Sequence, residues 1–467
     1  MPSAALLPGV SSIHLVGVGG AGMSALAKLL VQSGLKVSGS DIRDSLELKA
    51  LADLGVDTWT GHQPGRVDDV DLVVASSAIP DADPELEAAR TRQLKVWRRP
   101  DLLEGITASL STIGPTGTHG KTTTTAMLVQ AARAAGFDPS FVVGGELVDL
   151  GTNAHRGKDP LLILEVDEAF GTFERIHLDG LVVTNVEPDH LDYFESVDKM
   201  EATYADVAAR VTGPVVFCVD DPGSMRVMAA ARRRGVRVLG YGFGREADWQ
   251  IQDIYQDPGS VRFTLHGPGT QMTVSVPRPG RHIASNAAGA LALLAEMGHD
   301  PHGAAEGLWD FHGVRRRFEH RGTVAGVAMI DDYAHHPTEV ATMVQVALAA
   351  GHRRVVAVFQ PHLYTRTELL YHEFGQALSA ADRVVVTDVY AAREAPIPGV
   401  SGELIANAVS KNKGEVFYAP HRADLAALLA ELVEPGDLVL TMGAGDITLV
   451  PTELATLLEA TVSDGES

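Results

Sequence analysis

Cysteine is almost absent: Cys218 stands alone in 467 residues. No internal disulfide can form, and a reducing, cytoplasmic compartment is expected. No apolar run approaches the ~18 residues that a membrane span requires, so no membrane insertion is expected. The first Lys or Arg is Lys28, and the basic stretch that opens a signal peptide is missing. Positive charge is scarce as well. Lys plus Arg is 38 against 60 for Asp plus Glu, a net charge of −22. Such a surface repels nucleic acid and anionic lipid, so no nucleic acid is expected as partner. Phosphates can be held only at local basic sites. Short repeats and low-complexity tracts are also lacking. What remains is ordinary globular material, 45% apolar and 21% charged, which excludes a disordered, collagenous or disulfide-stapled chain. The length argues for two to four domains of ~100–200 residues each.

Short β-branched runs alternate with Ala/Leu-rich stretches, the rhythm of α/β units with parallel sheets. Residues 13–18, 36–39 and 72–75 read as strands of a first unit, with a helix over 21–32. Residues 91–109 carry little strand signal and read as a linker. A second unit opens with a strand at 110–113 and continues with strands at 161–166, 181–186 and 215–219. Residues 251–276 alternate around Asp257-Pro258-Gly259 and Gly267-Pro268-Gly269, which predicts antiparallel hairpins at a sheet edge. A third unit begins near Gly322, with strands at 324–331, 354–359, 383–389 and 438–442. Three consecutive α/β domains are expected, over 1–109, 110–321 and 322–467.

The strongest local signal is Gly114-Pro-Thr-Gly-Thr-His-Gly-Lys-Thr-Thr-Thr-Thr125, between a strand and a helical stretch over 126–135. Small residues let successive backbone N–H groups turn toward an anion, and the helix N-terminus adds its positive dipole. Lys121 is expected to face solvent in this loop and reach the β- and γ-phosphates of a nucleotide, with the Thr122 hydroxyl on Mg2+. Pro115 occupies the usual first glycine, so the loop is a variant. The plainer alternative, a Gly/Thr-rich turn before a capped helix, is disfavoured by Gly120-Lys121-Thr122 at a strand-to-helix junction. The loop indicates a nucleotide phosphate and leaves the reaction open.

Ligands in α/β sheets collect at the carboxyl ends of strands. Glu165-Val-Asp-Glu168 closes one strand and Thr184-Asn-Val-Glu-Pro-Asp-His190 another. Glu165 and His190 are therefore candidate ligands for Mg2+ ions bridging ATP and an acceptor; the reading of ordinary polar strand ends stays open beside it. Near the N-terminus, Gly17-Val-Gly-Gly-Ala-Gly22 follows a strand and opens a helix, with Asp41 at the end of the next strand. The spacing of Gly17, Gly19 and Gly22 is close to a dinucleotide fingerprint, with Asp41 available to a ribose hydroxyl. A diphosphate-linked sugar nucleotide suits it equally, because glycines and a helix dipole read phosphates and not the base.

Taken in order and over nearly the whole chain, these motifs resemble the Mur ligases of bacterial cell-wall synthesis, and among them the alanine-adding branch. Gly17, Gly19, Gly20, Gly22, Met23 and Ser24, with Asp41 and with Ser76 and Ser77 of Ser76-Ser-Ala-Ile-Pro80, resemble the family's UDP-sugar site. Gly117, Thr118, His119, Gly120, Lys121, Thr122 and Thr123 match its ATP loop. Thr122, Glu165 and His190 fall where that family holds metal, and His282 and Asn286 where it contacts adenine. Phe311–Glu319 resembles the segment whose arginine meets the γ-phosphate, which points to Arg317, with Arg316 the near alternative. Asp331–Pro337 resembles the loop that faces ribose and amino acid, giving Asp332 to the nucleotide and Tyr333 and His335 to the amino acid. Gln360–Arg366 supplies Arg366; Asp388-Val-Tyr390 and Gly443-Ala-Gly-Asp446 complete the set. The chain departs from the branch at Leu363, usually Arg, at Ile283, usually Asn, at Ala169-Phe170, usually Ser-Asp, and at Arg393, usually Gly. Ala205 stands where other members carry a carbamylated lysine, as in the alanine-adding branch.

The resemblance implies a Rossmann-like N-terminal domain for UDP-N-acetylmuramate, a central P-loop domain for ATP and a Rossmann-like C-terminal domain for L-alanine. It implies an ATP-dependent C–N ligase of peptidoglycan precursor synthesis, with two Mg2+ ions and with Lys121, His190 and Arg317 catalytic. A monomer or weak homodimer is expected. A carboxylate is a poor electrophile, so the γ-phosphoryl group would be transferred to it first, and positioning and charge neutralisation would be the protein's main contribution. Two alternatives stand beside this: a ligase recycling murein peptides onto the same nucleotide, against which Gln360–Arg366 argues, and an NAD(P)-dependent oxidoreductase, which leaves the phosphate loop idle. A nucleotide switch has no use for the clustered acids and histidines. Cys218 reads as core, Arg232-Arg-Arg234 as a solvated helix end, and His335-His336-Pro337 as a substrate loop before a helix.

Overall fold

The computed structural model describes residues 6–67, 69–189, 191–392, 394–409 and 415–465. His190 and Arg393 lie outside them. The described residues build three sheets with helices between the strands, the α/β architecture expected from the alternating rhythm. None of the described helices is long and apolar enough to cross a membrane.

The first sheet holds β1 (Ser12–Val16), β2 (Lys36–Asp41), β3 (Asp57–Thr60), β4 (Leu72–Ala75) and β5 (Lys95–Arg98) in the order 3-2-1-4-5, all parallel. Its central strands are covered on both faces, which is why Leu-Val-Val-Ala of β4 is apolar without alternation. Chain order reverses between β1 and β4, the point where such sheets open a crevice for ligands. Residues 91–109 are no linker: β5 and the helix Arg99–Thr107 complete this unit. Lys-Val-Trp-Arg is an edge strand with no fully buried residue, so its apolar signal is weak.

The second sheet holds β6 (Ser111–Thr116), β7 (Ser140–Leu147), β8 (Thr152–His155), β9 (Leu161–Leu164), β10 (Gly180–Val183), β11 (Val215–Cys218), β12 (Val238–Gly242), β13 (Trp249–Asp257), β14 (Ser260–Gly267) and β15 (Thr270–Val276). Their order is 15-14-13-12-11-10-6-9-7-8. β6 runs parallel to both neighbours, β10 and β9. β14 and β15 form an antiparallel hairpin at one edge, where the alternating segment was expected. Cys218 is buried in β11, and burial pushes its thiol up to about 11.

Both sheets belong to one compact unit, Met1–Gln256 with Ser260–His312. One apolar cluster runs from Leu26, Leu30 and Leu102 to Val142, Leu164 and Phe173. The helix Ala21–Gln32 is tied to the β7–β8 hairpin: Lys28 Nζ donates to Asn153 Oδ1 at 2.8 Å, and Arg156 N to Gln32 Oε1 at 2.8 Å.

The second unit is Asp257–Gly259 with Gly313–Ser467. Its sheet holds β16 (Glu319–Val324), β17 (Val327–Asp332), β18 (Arg354–Phe359), β19 (Arg383–Thr387), β20 (Glu415–Ala419) and β21 (Asp437–Met442), in the order 16-17-21-18-19-20. Val355, Ala357 and Phe359 enter one apolar cluster and Val356 and Val358 the opposite one, the period-two signature of a sheet covered on both sides. The strand expected over 324–331 is a hairpin instead. Ala325 and Gly326 have φ of 50° and 77°, which turns β16 antiparallel onto β17. β17, β18 and β21 end in register at Asp332, Phe359 and Met442, and so bring the segments after them to one edge.

Candidate active site

β6 delivers the phosphate loop between two neighbouring strand ends. Gly117 has φ +133°, and a Cβ there would lie 2.2 Å from Thr184 Oγ1 and 2.6 Å from Asn185 O. Only glycine lets the loop lie against the segment that follows β10. That segment straps it down. His119 N donates to Asn185 Oδ1 at 2.7 Å, Thr184 Oγ1 to His119 O at 2.7 Å, and Glu187 N to Thr118 Oγ1 at 2.9 Å. Gly120 caps the helix Lys121–Ala134 in the left-handed conformation. Helix geometry leaves the N–H groups of the first turn, Lys121 to Thr123, without partners inside the helix.

Lys121 does not face solvent. Its side chain is only 14% exposed, and Nζ donates to Gly117 O at 2.6 Å, Thr118 O at 3.3 Å and Glu168 Oε1 at 2.8 Å. A buried ammonium has three donors to satisfy, and the nearest oxygens are its own loop's carbonyls and this carboxylate. Burial alone would lower the lysine's pKa; Glu168 and Asp167 outweigh it and hold the ammonium above its ordinary range. Burial, with Asp167, pushes Glu168 up against the pull of Lys121, and Glu168 Oε2 has no hydrogen-bond partner. Beside this pair, Thr122 Oγ1 donates to Glu165 Oε1 at 3.0 Å, and Gly144 N donates to Glu165 Oε2 at 2.7 Å. Thr123 is half-buried in the first turn.

The helix Arg281–Glu296 supplies His282 and Asn286. Desolvation, helped by the Arg278 guanidinium, holds the His282 imidazole down at about 4, so it is neutral near pH 7. Asn286 is buried, and its Oδ1 lies 2.9 Å from where a Cβ on Gly120 would stand, so the amide faces the phosphate loop. Ile283 and Ala205 are both buried in the core.

At the N-terminal sheet, Gly17 N and Val18 N donate to Ser40 O at 2.8 and 3.0 Å, and Gly19 N to Asp41 Oδ2 at 3.0 Å. Asp41 thus closes the glycine turn. Gly20, Gly22, Met23, Ser76, Arg99, Glu165 and Asp167 line a cavity of about 270 Å³, and in it Arg99 Nη1 stands 3.9 Å from Asp167 Oδ2. Ser24 is buried and its hydroxyl donates back to Ala21 O at 3.1 Å. Ser77 is half-buried in the turn after β4.

In the second unit, Arg316 holds the segment after β21, donating through Nη2 to Gly443 O at 2.6 Å and Gly445 O at 3.1 Å. Arg317 lies 5.1 Å over the Tyr333 ring. Asp332 is buried and accepts Phe318 N and Ala334 N, both at 2.7 Å. Burial nevertheless pushes it up to about 6, against Arg317 and these amides. His335 Nδ1 is 3.0 Å from Tyr333 O, and its ring meets Tyr333 and His362 edge-on at 5.2 and 5.8 Å. Arg366 Nη1 is 3.4 Å from His362 Nδ1, and His362 stacks near Tyr390 at 6.1 Å. His336 caps the helix Pro337–Ala349 in a capping box with Glu339.

Sequence reasoning overlooks Glu168 and Arg99. Glu168 belongs to the same acidic motif as Glu165, and nothing local says which acid meets Lys121. Arg99 does leave a signal: a cation in the first turn of a helix works against the dipole and needs another reason to be there.

Comparison with known proteins extends this geometry. A family model described as the Mur ligase family catalytic domain matches residues 12–110, the Mur ligase middle domain 116–294, and the Mur ligase glutamate ligase domain 316–445. The UDP-N-acetylmuramate–L-alanine ligase of Thermobifida fusca (strain YX) is 44% identical over 446 residues, covering 93% of this chain and 94% of its own length. That of Mycobacterium sp. (strain JLS) is 45% identical over 463 residues, covering 96% and 95%. The crystal structure of the UDP-N-acetylmuramate–alanine ligase from Thermotoga maritima superposes with a TM-score of 0.82 at 26% identity, covering 96% of this chain and 99% of that one. A murein peptide ligase from Psychrobacter arcticus shares the fold, with a TM-score of 0.71 at 23% identity and coverage of 96% and 98%. Relatives aligned along nearly the whole length, and family models spread over all three sheets, lead to one conclusion: this chain belongs to the Mur ligase family.

Proposed function

We propose that this protein joins L-alanine to the lactyl carboxylate of UDP-N-acetylmuramate at the expense of ATP, releasing ADP and phosphate, in the cytoplasm. The observation that carries the reading is the phosphate loop itself. Lys121 is buried at the head of its helix, and a Thr122–Glu165 pair stands 3.0 Å apart beside it, in a chain whose full-length relatives bear that ligase name. Relatives of this kind do not favour an oxidoreductase.

The carboxylate oxygen attacks the γ-phosphorus and ADP leaves; the alanine amine then attacks the acyl carbon and phosphate leaves. Lys121 and the first-turn N–H groups cradle the phosphates and offset their charge. Asn286 and the neutral His282 suit a base that offers both donors and acceptors. In the second unit we assign Arg317 to the γ-phosphate, Asp332 to the nucleotide, and Arg366 with Tyr333 and His335 to the amino acid. The Thr122 hydroxyl and the Glu165 carboxylate are hard oxygen donors of the kind magnesium takes, so these residues fit the ion the family implies. Bound there, it would offset charge on the transferring phosphate. Gly17–Gly22 and Ser76 serve the sugar nucleotide.

The test is phosphate release from ATP with UDP-N-acetylmuramate and a panel of amino acids. Release is expected only with both co-substrates, and fastest with alanine. Equal release without the sugar nucleotide or without the amino acid would overturn the assignment.

A further inference from the structure

Glu319 and Asp331 are register partners across β16 and β17, and both are buried. Like charges directly opposite in an antiparallel pair are destabilising, so each carboxylate needs a reason to be there. Asp331 accepts Thr441 Oγ1 at 2.8 Å and Thr448 Oγ1 at 2.6 Å, which fastens β21 and the turn after it. Glu319 turns back onto the chain just before it. Its Oε2 accepts Arg316 N at 2.9 Å, and its Oε1 accepts Arg315 Nη1 at 2.8 Å.

That stretch is held against its own preference. Arg316 and Phe318, on either side of Arg317, have φ of 59° and 50°, a left-handed conformation that residues other than glycine rarely adopt. Strain of this kind persists only where the surroundings over-determine it, and here a set of hydrogen bonds does so. Arg317 N donates to Val314 O at 3.1 Å, Tyr333 N to Arg316 O at 2.7 Å, Phe318 N to Asp332 Oδ2 at 2.7 Å, and Arg316 N to Glu319. The residue between the two strained positions is the arginine assigned above to the γ-phosphate. Asp332 and Tyr333 are assigned to ligands of their own. Glu319 is not, and its hydrogen bonds at Oε1 and Oε2 both end on this turn.

We propose that Glu319 is a positioning residue for Arg317: by accepting Arg316 N on a buried carboxylate, it locks the strained turn that aims the next side chain at the transferring phosphate. A carboxylate acceptor makes this a charge-assisted hydrogen bond, stronger than one to a neutral oxygen. The inference rests on the assignment of Arg317 to the γ-phosphate. No covalent step involves Glu319, and its effect on turnover passes wholly through Arg317.

The test is a double-mutant cycle in the full-length protein, read as kcat/KM for ATP in phosphate release with UDP-N-acetylmuramate and alanine present. Glu319→Met removes both oxygens and keeps the bulk. Glu319→Gln keeps one oxygen for Arg316 N without the charge, and carries the test if the methionine variant does not fold. Misplacing a catalytic group by about 1 Å can cost about 100-fold, and Glu319→Met is expected to lose about that much, with the KM for the sugar nucleotide unchanged. Glu319→Gln should lose only about fivefold, the difference between a charged and a neutral acceptor. In an Arg317→Met background both losses should vanish, because a residue that acts through Arg317 has nothing left to position. A merely structural glutamate would instead multiply its loss with that of Arg317→Met, and that result overturns the proposal. Parental rates in both Glu319 variants, beside a loss in Arg317→Met, overturn the positioning role alone. An Arg317→Met variant that turns over like the parent would remove Arg317 from the γ-phosphate, and the positioning role with it.

Discussion

Lys121 Nζ lies 2.8 Å from Glu168 Oε1 with both side chains largely buried, so the lysine proposed to hold phosphate is also a structural element of the fold. Removing one partner of a buried pair costs about 3–5 kcal/mol, because the other is left charged and dry. In Lys121→Met, Glu168 escapes that cost by keeping a proton. Its folded pKa then stands above the unfolded value of about 4.3, and the folded protein binds a proton that the unfolded chain releases. Stability therefore falls as pH rises through that window and returns on acidification. Lys121→Met is expected to lower phosphate release about 100-fold or more, and to lower the denaturation midpoint more at pH 8 than at pH 5. Adding Glu168→Gln should restore the midpoint and not the turnover. Equal midpoint losses at both pH values would show that the pair is not the cause.

Thr122→Val keeps the side-chain shape and removes the hydroxyl that donates to Glu165 at 3.0 Å. Glu165→Gln removes the charge while its backbone anchor, Gly144 N at 2.7 Å, can still bond an oxygen. If these two oxygens hold magnesium, each variant raises the Mg2+ concentration needed for half-maximal phosphate release by about tenfold or more. Titration curves that superpose on the parent's would remove both residues from the metal site.

His282 titrates at about 4 in the folded protein because burial and Arg278 disfavour its charge; unfolded, it takes a proton near pH 6.5. The folded state thus binds fewer protons between these values, and stability is lost as pH falls through the window. His282→Gln removes this loss. Denaturation midpoints measured at pH 7.5 and 4.5 should differ less in the variant than in the parent, and a parent-like difference would refute the assignment. Between pH 6 and 8 the imidazole stays neutral, so the KM for ATP should show no inflection from it.

How far these features can be read from sequence depends on how local they are. Gly117 to Thr122 are legible because strand, turn and helix are contiguous and an anion demands glycines at that spacing. The Lys121–Glu168 pair is not, since its partners are 47 residues apart and Glu165, Asp167 and Glu168 offer the same chemistry. Topology alone decides that Glu165 meets Thr122 while Glu168 meets the lysine. β5, Lys-Val-Trp-Arg, is a half-buried edge strand and therefore lacks the apolar run that betrays Leu72–Ala75 or Leu161–Leu164. Arg99 is hidden differently, because its placement depends on the packing of two sheets into one unit.

The amino acid's carboxylate needs a cation if it is to enter a dry site, because an unpaired buried charge is costly. Arg366 is placed to supply it. It lies in the first turn of the helix Tyr364–Leu378, where the dipole also favours an anion, and 3.4 Å from His362 in the Tyr333–His335–His362–Tyr390 cluster. Leu363 stands at the cap of that helix with φ 71°. Position 363 is the one where the alanine-adding branch usually carries a second arginine, so if this segment holds the amino acid, Arg366 has to supply more of the binding. A charge-assisted hydrogen bond is worth about 1.5–3 kcal/mol, roughly a 10- to 150-fold change in affinity. Arg366→Ala is therefore expected to raise the alanine KM by about tenfold or more with little change in the ATP KM. Leu363→Arg in that background should recover part of the loss, and it adds no new backbone strain, since leucine and arginine are both unbranched at Cβ and meet the same penalty at positive φ. If Arg366→Ala weakens ATP instead, or leaves alanine saturation unchanged, the segment does not hold the amino acid. The clamp would then have to be sought in another basic residue, with Arg393 the first to substitute.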